Sequence, residues 1–330
     1  MSALRRIRPP SRALSRRLPP LLVNPCRKLS TTSPLLVSNS PYGVAAAVHG
    51  TSSKQPSKAT LFSEEFSLDD RVGVVSGGNR GIGLEAAMAL LEGGARSVYC
   101  LDLPSNPSEE FLKVRDYVKN MEVAGGKKAG TIEYVSVDVT DKNAVVREVE
   151  RIGDEERRVD VCVAAAGILR NHISCIEYPE EEFKQVMDVN VNGVLYTAQA
   201  AGLQMAKYNV PGSIILIASM SGSLTNMHHH WVSYNTSKGA VIQMARSMAC
   251  ELGTKGIRVN SLSPGYIYTS LTAQYLDKHP GLIDKWSAQN PLGRIGRPDE
   301  IRGVVAWLAS DASTYCTGSD IMVTGGHHSW

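Results

Sequence analysis

Apolar residues fall along this chain in two rhythms. Short unbroken blocks, such as Val72-Gly73-Val74-Val75 and Ser97-Val98-Tyr99-Cys100-Leu101, lack polar alternation. A strand of that kind needs cover on both faces, which is the signature of a buried parallel sheet. Between the blocks run longer stretches with helical spacing. The pattern predicts strands at 72–76, 97–102, 132–137, 160–164, 213–218, 257–262 and 320–323. It predicts helices at 81–93, 108–124, 141–152, 179–207, 232–253, 270–278 and 298–309. Strand and helix alternate, so the expected fold class is α/β, one doubly wound parallel sheet with helices on both faces. One domain over 64–330 accommodates it, and no internal repeat is visible.

The rhythm is absent before residue 64. No acidic residue precedes Glu64, whereas Arg5, Arg6, Arg8, Arg12, Arg16, Arg17, Arg27 and Lys28 crowd the start. An Arg-rich, Ser-rich, acid-free N-terminus reads as a mitochondrial presequence over 1–29, with cleavage near Leu29 and Ser30. The alternative is a basic tail on a cytoplasmic protein, which the paired prolines at 9–10 and 19–20 favour. Residues 30–63, rich in Ser, Pro and Thr, read as a flexible linker. The net charge of +3 therefore hides a mildly acidic body and gives no reason to expect nucleic-acid binding.

Length and composition narrow the class further. With 330 residues, 43% hydrophobic and 20% charged, the chain has ample material for a core. No apolar run reaches the roughly 18 residues of a membrane span, so no membrane partner is expected. Cys26, Cys100, Cys162, Cys175, Cys250 and Cys316 are scattered without a Cys-x-x-Cys pair, which argues against a disulfide framework.

Candidate chemistry begins at Ser76-Gly77-Gly78-Asn79-Arg80-Gly81-Ile82-Gly83, a glycine-rich turn between a predicted strand and a predicted helix. In that context glycines let backbone approach a pyrophosphate, which then sits at a helix N-terminus. Asp102 ends the next strand. A carboxylate there accepts hydrogen bonds from ribose hydroxyls and repels a 2′-phosphate, which favours NAD. Arg80 pulls the other way and keeps NADP open. Farther on, Tyr234 and Lys238 stand one helical turn apart, sharing a face. A nearby ammonium favours phenolate, so the pair is expected to lower the tyrosine pKa and make it a general acid/base.

These motifs, with Val137-Asp138-Val139, Ala164-Ala165-Ala166-Gly167, Asn190, Ser219, Arg258-Val259-Asn260-Ser261 and Ser263-Pro264-Gly265, come in the order of the short-chain dehydrogenase/reductase family, which the chain resembles from about Phe66 onward. Its nearer resemblance is to the polyol and ketose branch. Two features carry that: Ala218-Ser219-Met220-Ser221-Gly222-Ser223, and a step of fifteen residues from Ser219 to Tyr234, longer than is usual in the family. The resemblance implies a Rossmann-type fold and a catalytic set of Asn190, Ser219, Tyr234 and Lys238. Tyr234 would exchange the proton, Lys238 would bind the nicotinamide ribose, Ser219 would hold the reacting oxygen, and Asn190 would hold a relay water. Cofactor contacts are implied at Gly77, Asn79, Arg80, Gly81, Ile82, Gly83, Asp102, Asp138, Val139, Gly167, Pro264, Gly265, Ile267 and Thr269, besides Asn190, Tyr234 and Lys238. Ser219, Ser221 and Tyr234 are the implied substrate contacts, and the segment from Ser270 to Lys285 resembles the family's lid, with Tyr275 and Trp286 as walls.

The expected activity is NAD(P)-dependent interconversion of a polyol and a ketose. Two alternatives stay open: reduction of a 3-oxoacyl thioester, and a nucleotide-sensing scaffold without catalysis. His228, His229 and His230 raise a metal site, but adjacent residues rarely aim three imidazoles at one centre, so none is expected. Ala164-Ala165 stands where the family usually has asparagine, which predicts a looser loop there. His327 and His328 read as a solvated tail. The resemblance also implies a homotetramer built through 179–207 and 232–253.

Overall fold

The unbroken apolar blocks become the centre of a single parallel sheet. In the computed structural model, which describes residues 43–49, 59–170, 173–277 and 279–330, the main strands are β1 (Val72–Ser76), β2 (Ser97–Asp102), β3 (Thr131–Ser136), β4 (Val161–Ala164), β5 (Gly212–Ile217), β6 (Ile257–Pro264) and β7 (Asp320–Val323). They lie in the order β3-β2-β1-β4-β5-β6-β7, every pair parallel, with Val74 opposite both Tyr99 and Cys162. Every residue of β1, β4 and β5 is buried, as a doubly covered strand requires.

Two apolar layers do the covering. On one face Val145, Val149 and Ile152 of α3 (Lys142–Glu156), Ala198 and Met205 of α5 (Val194–Lys207), and Val241 and Ala245 of α6 (Val232–Leu252) pack on Val74, Cys162 and Ile214. On the other, Leu84, Leu90 and Leu91 of α1 (Gly81–Glu92), Phe111 of α2 (Glu109–Val118), and Val305 and Leu308 of α9 (Arg302–Ala309) pack on Val75, Val163 and Ile215. Neighbouring residues of one strand thus serve opposite layers, the period-2 rule of a pleated sheet. Strand order reverses at β1, between β2 and β4, and a crevice opens there at the carboxyl ends of the strands.

Five predicted helices differ in detail, the stretch 141–152 by running on to Glu156. The stretch 108–124 is helical only to Val118; the chain then turns, and Glu122–Val123 pairs antiparallel with Lys127–Lys128 around Gly125 and Gly126, both at positive φ. The stretch 179–207 is split into α4 (Glu180–Met187) and α5 by a wider π turn at Asp188–Gly193, which carries Asn190. The stretch 270–278 ends early, as α7 (Ser270–Leu276). The stretch 298–309 opens with a 3-10 turn at Pro298–Ile301, where proline fits a first turn. Within 64–330 one α-helix was not predicted: α8 (Leu282–Ala288), only two turns long, which carries Trp286. The presequence over 1–29 lies outside the described residues, as does the linker apart from a short helix at Gly43–His49 and residues 59–63. Among the described residues, no helix is long and apolar enough to cross a membrane.

Candidate active site

A cleft of about 700 Å³ lies at the carboxyl ends of the strands, above the switch point. Its first wall is the turn from β1 into α1. Gly77 and Gly81 take positive φ, 69° and 57°, which only glycine adopts without strain. At Gly83 the reason is space: an added Cβ would lie 2.1 Å from the Gly77 carbonyl oxygen. The turn therefore keeps backbone against backbone, and α1 begins with no side-chain cap at Arg80. An uncapped first turn presents N–H groups and the positive end of the helix dipole to the cleft, the donor set an anionic pyrophosphate needs. The residues present fit a dinucleotide.

Asp102 stands at the end of β2 with its carboxylate anchored. One oxygen accepts from Asn79 N at 3.1 Å and the other from Leu103 N at 2.8 Å. Asn79, buried, in turn accepts from Ser108 N at 2.8 Å and so ties the glycine turn to the start of α2. Asp138 accepts from Thr140 N and Thr140 Oγ1, at 2.9 and 2.8 Å, with Val139 beside it in the cleft wall. Ala166 N reaches the Ser76 hydroxyl at 3.5 Å and Ala165 N donates to Ser76 O at 3.1 Å. The loop expected to be loose for want of an asparagine is thus pinned from β1. Gly167 lies beside Lys238 and Asn190: a Cβ there would stand 3.6 Å from Lys238 Nζ, an ordinary contact.

The reactive set meets at the centre. Tyr234 and Lys238 lie on one face of α6, and the Lys238 ammonium sits 5.6 Å from the Tyr234 ring centroid. Ser219, just beyond β5, lies beside the Tyr234 phenol, where its hydroxyl favours the phenolate. Lys238 Nζ donates to Ile217 O at 2.8 Å. Burial brings the lysine down to about 8 and pushes the tyrosine up, the Ser219 hydroxyl opposing that rise. The expected direction for Tyr234 is therefore reversed in the chain by itself: desolvation of the phenolate outweighs the opposing effect of the Ser219 hydroxyl.

Asn190 departs from expectation in a second way. It is fully buried and does not line the cleft. Its Oδ1 accepts from Ile168 N at 2.8 Å, and its Nδ2 donates to Ile168 O and to Ser237 Oγ, each at 3.0 Å. With both amide hydrogens engaged, Asn190 can meet a relay water only as an acceptor, through the second lone pair of Oδ1. Asn190 also fixes the loop after Gly167 against α6. The other expected residues, Gly77, Asn79, Arg80, Gly81, Ile82, Gly83, Asp102, Asp138, Val139, Gly167, Ser219, Ser221, Tyr234, Lys238, Pro264, Gly265, Ile267 and Thr269, all line the cleft.

The substrate side is walled by aromatic side chains. Trp286 stacks on Tyr266 at 4.1 Å between centroids, and His229 stacks on Trp231 at 4.2 Å. Trp286 Nε1 donates to His229 Nε2 at 3.1 Å, so that histidine braces an aromatic wall. Among the described residues, no three His, Cys, Asp or Glu side chains converge as a metal set would. His327 packs edge-on against Tyr266 at 5.3 Å, which corrects its reading as a solvated tail. Sequence reasoning missed Tyr266 altogether, although it directly follows Pro264-Gly265 at the mouth of β6.

Comparison with known proteins agrees with this geometry. A family profile described as enoyl-(acyl carrier protein) reductase matches residues 77–328. A short-chain dehydrogenase/reductase of Aspergillus versicolor, notP′, is 39% identical over 273 residues, which span 81% of this chain and 90% of that protein. A sorbose reductase of Schizosaccharomyces pombe is 39% identical over 266 residues, spanning 79% and 97%. A D-arabinitol 2-dehydrogenase (ribulose-forming) of Candida tropicalis is 35% identical, spanning 80% and 95%. Among solved structures, a short-chain type dehydrogenase/reductase from Mycobacterium marinum matches with TM-score 0.71 and 37% identity, over 81% of this chain and 98% of that one. A gluconate 5-dehydrogenase from Burkholderia cenocepacia, in complex with NADP and tartrate, matches with TM-score 0.72 and 28% identity, over the same shares of the two chains.

Proposed function

The chain belongs to the short-chain dehydrogenase/reductase family, and from that premise we propose that it interconverts the secondary alcohol of a polyol with the ketone of a ketose, using NAD(H). The observation that carries the reaction type is Tyr234, Ser219 and Lys238 brought together in the wall of the cleft, with Lys238 Nζ 5.6 Å from the Tyr234 ring centroid. The substrate class is supported by relatives named sorbose reductase and D-arabinitol 2-dehydrogenase.

A bound nicotinamide supplies the hydride chemistry. The chain's own residues then have separable tasks. Ser219 holds the substrate oxygen beside the Tyr234 phenol. In oxidation Tyr234 takes the hydroxyl proton, and in reduction it returns it. Lys238 places a positive charge next to the developing phenolate, where low polarity makes it count. Asn190 acts through position, holding Ile168 and α6 in register. The aromatic wall excludes water and offers flat faces to the carbon skeleton.

Thioester reduction is the second reading, kept because the matching family profile carries an acyl-carrier-protein name. The two readings separate on substrate. A ketose such as D-ribulose or L-sorbose should be reduced at least about a hundredfold more efficiently than a short 3-oxoacyl thioester, a gap of the size polar recognition achieves. The opposite order would transfer the assignment to the thioester.

Preference for NAD over NADP is read from Asp102, whose carboxylate is fixed at the rim by two backbone N–H groups and would face a 2′-phosphate at close range. Asp102→Asn removes that charge and keeps the shape. It should raise the ratio of kcat/KM for NADP⁺ over NAD⁺ by about tenfold or more, as loss of one like-charge contact implies. An unchanged ratio would hand the choice to Arg80. We also propose a mitochondrial matrix location, carried by the composition of residues 1–29, and a homotetramer through α4, α5 and α6. Import of the full chain into isolated mitochondria with trimming near Ser30, and the mass in solution by light scattering, check these two directly. Failure to import, or a monomeric mass, refutes the respective statement.

A further inference from the structure

Behind the substrate wall a chain of hydrogen bonds ties Ser221, one of the implied substrate contacts, to Asn226 and Tyr266, which none of these roles uses. Ser221 Oγ donates to Asn226 Oδ1 at 2.7 Å, and Asn226 Nδ2 donates to the Tyr266 hydroxyl at 3.2 Å. Ser221 is 5% exposed and Asn226 2% exposed, so both side chains are out of bulk water. The two ends, Ser221 and Tyr266, line the cleft, while Asn226 stands behind it. Tyr266 has little freedom to turn away, because Trp286 stacks on its face with 6° between planes and His327 meets it edge-on.

Counting protons decides what the two ends offer. Ser221 spends its only hydrogen on Asn226 and is left with an oxygen whose lone pairs are free of that bond. Tyr266 accepts from Asn226 and keeps its own hydrogen to donate. Turning the amide over reverses both ends: Ser221 becomes the donor and Tyr266 the acceptor. In either state one end gives and the other accepts. Burial raises the Tyr266 pKa, the Asn226 hydrogen bond opposing it, so the phenol keeps its hydrogen at neutral pH.

We infer that Ser221 and Tyr266, coupled through Asn226, read a substrate hydroxyl other than the one that reacts. The inference rests on the polyol reading above and sharpens it. A polyhydroxylated chain donates and accepts at once and so satisfies both ends. A saturated acyl chain satisfies neither, and leaving buried polar groups unpaired is how a site rejects an analogue. Tyr266 and Ser221 touch the substrate; Asn226 is a positioning residue that acts through them.

The test is steady-state reduction of D-ribulose or L-sorbose with NADH by the unaltered protein, Tyr266→Phe, Asn226→Ala and the double variant. Tyr266→Phe should raise KM roughly tenfold, with kcat held within about twofold, the signature of lost binding rather than lost chemistry. Asn226→Ala should do the same to a smaller degree, and the double variant should match Tyr266→Phe alone, because one relay cannot be broken twice. NADH binding and a melting curve report folding. Tyr266→Phe retains the stacked ring and decides the matter alone if Asn226→Ala fails to fold. Unchanged KM in Tyr266→Phe, a loss confined to kcat, or additive effects would overturn the relay while ketose turnover by the unaltered protein leaves the polyol reading standing. No ketose reduction by the unaltered protein would overturn both.

Discussion

Tyr234→Phe should lower turnover by about 10³-fold or more while leaving NADH affinity within a factor of about two. General acid/base catalysis contributes roughly 10² to 10⁴-fold, and removal of the phenol oxygen removes the group that exchanges the proton. The phenyl ring keeps the tyrosine's shape, so α6 and the cleft should not move. The pH dependence has a fixed sign. Alcohol oxidation needs the phenolate, and burial places the Tyr234 pKa above the ordinary tyrosine value of 10.0 in the chain by itself. Oxidation by the unaltered protein should therefore climb toward alkaline pH until Lys238, brought down to about 8, gives up the charge that supports the phenolate, whereas ketone reduction, which needs the phenol, should fall there. The residual activity of Tyr234→Phe should lack that limb. Stopped-flow NADH formation across pH, with fluorescence titration of NADH, measures both. Turnover retained within tenfold would remove Tyr234 from the reaction.

Gly83→Ala is the second large effect, and two opposing magnitudes decide its sign. Alanine in a helix gains about 1 kcal/mol over glycine in intrinsic propensity. Against that, the new Cβ would lie 2.1 Å from Gly77 O and 2.7 Å from Gly77 C, both backbone atoms that no rotamer change can relieve. Overpacking of this kind costs about 1–3 kcal/mol, occasionally more, and the upper part of that range applies when backbone must shift. The collision wins. Gly83→Ala should lower the melting temperature by several degrees and weaken NADH binding by at least about tenfold, because the displaced turn carries the N–H groups of the first turn of α1. Gly303→Ala in α9 is the control. Nothing lies within 4 Å of its added Cβ, so it should be neutral or slightly stabilising. Equal behaviour of the two variants would show that the close approach of α1 to the turn is dispensable.

How much of this was legible before the fold depends on how local each cause is. The strands were readable because a block such as Val72 to Val75 needs cover on both sides wherever it sits, and the observed β1, Val72–Ser76, is wholly buried. Tyr234 and Lys238 were readable because a helical turn sets their relation. What failed was non-local or marginal. The end of α2 at Val118 is set by a hairpin around two glycines rather than by the composition of 119–124. Helix α8 is too short for periodicity to show, and its position is fixed by Trp286 stacking on Tyr266. Asn226 and Tyr266 stand 40 residues apart, and nothing in the sequence announces their hydrogen bond. The direction of the Tyr234 pKa could not be read either, because it depends on burial, which spacing does not report.

The central claim is best tested by the product. The protein should be incubated with D-arabinitol, mannitol, sorbitol or xylitol and NAD⁺, and the sugar products separated and counted against NADH. The account predicts that at least one of these yields its ketose, one molecule for each NADH formed, with at least about tenfold lower efficiency when NADP⁺ replaces NAD⁺. No NADH from any of these polyols, together with reduction of a 3-oxoacyl thioester by NADPH, would contradict the proposed substrate class and the role given to Asp102.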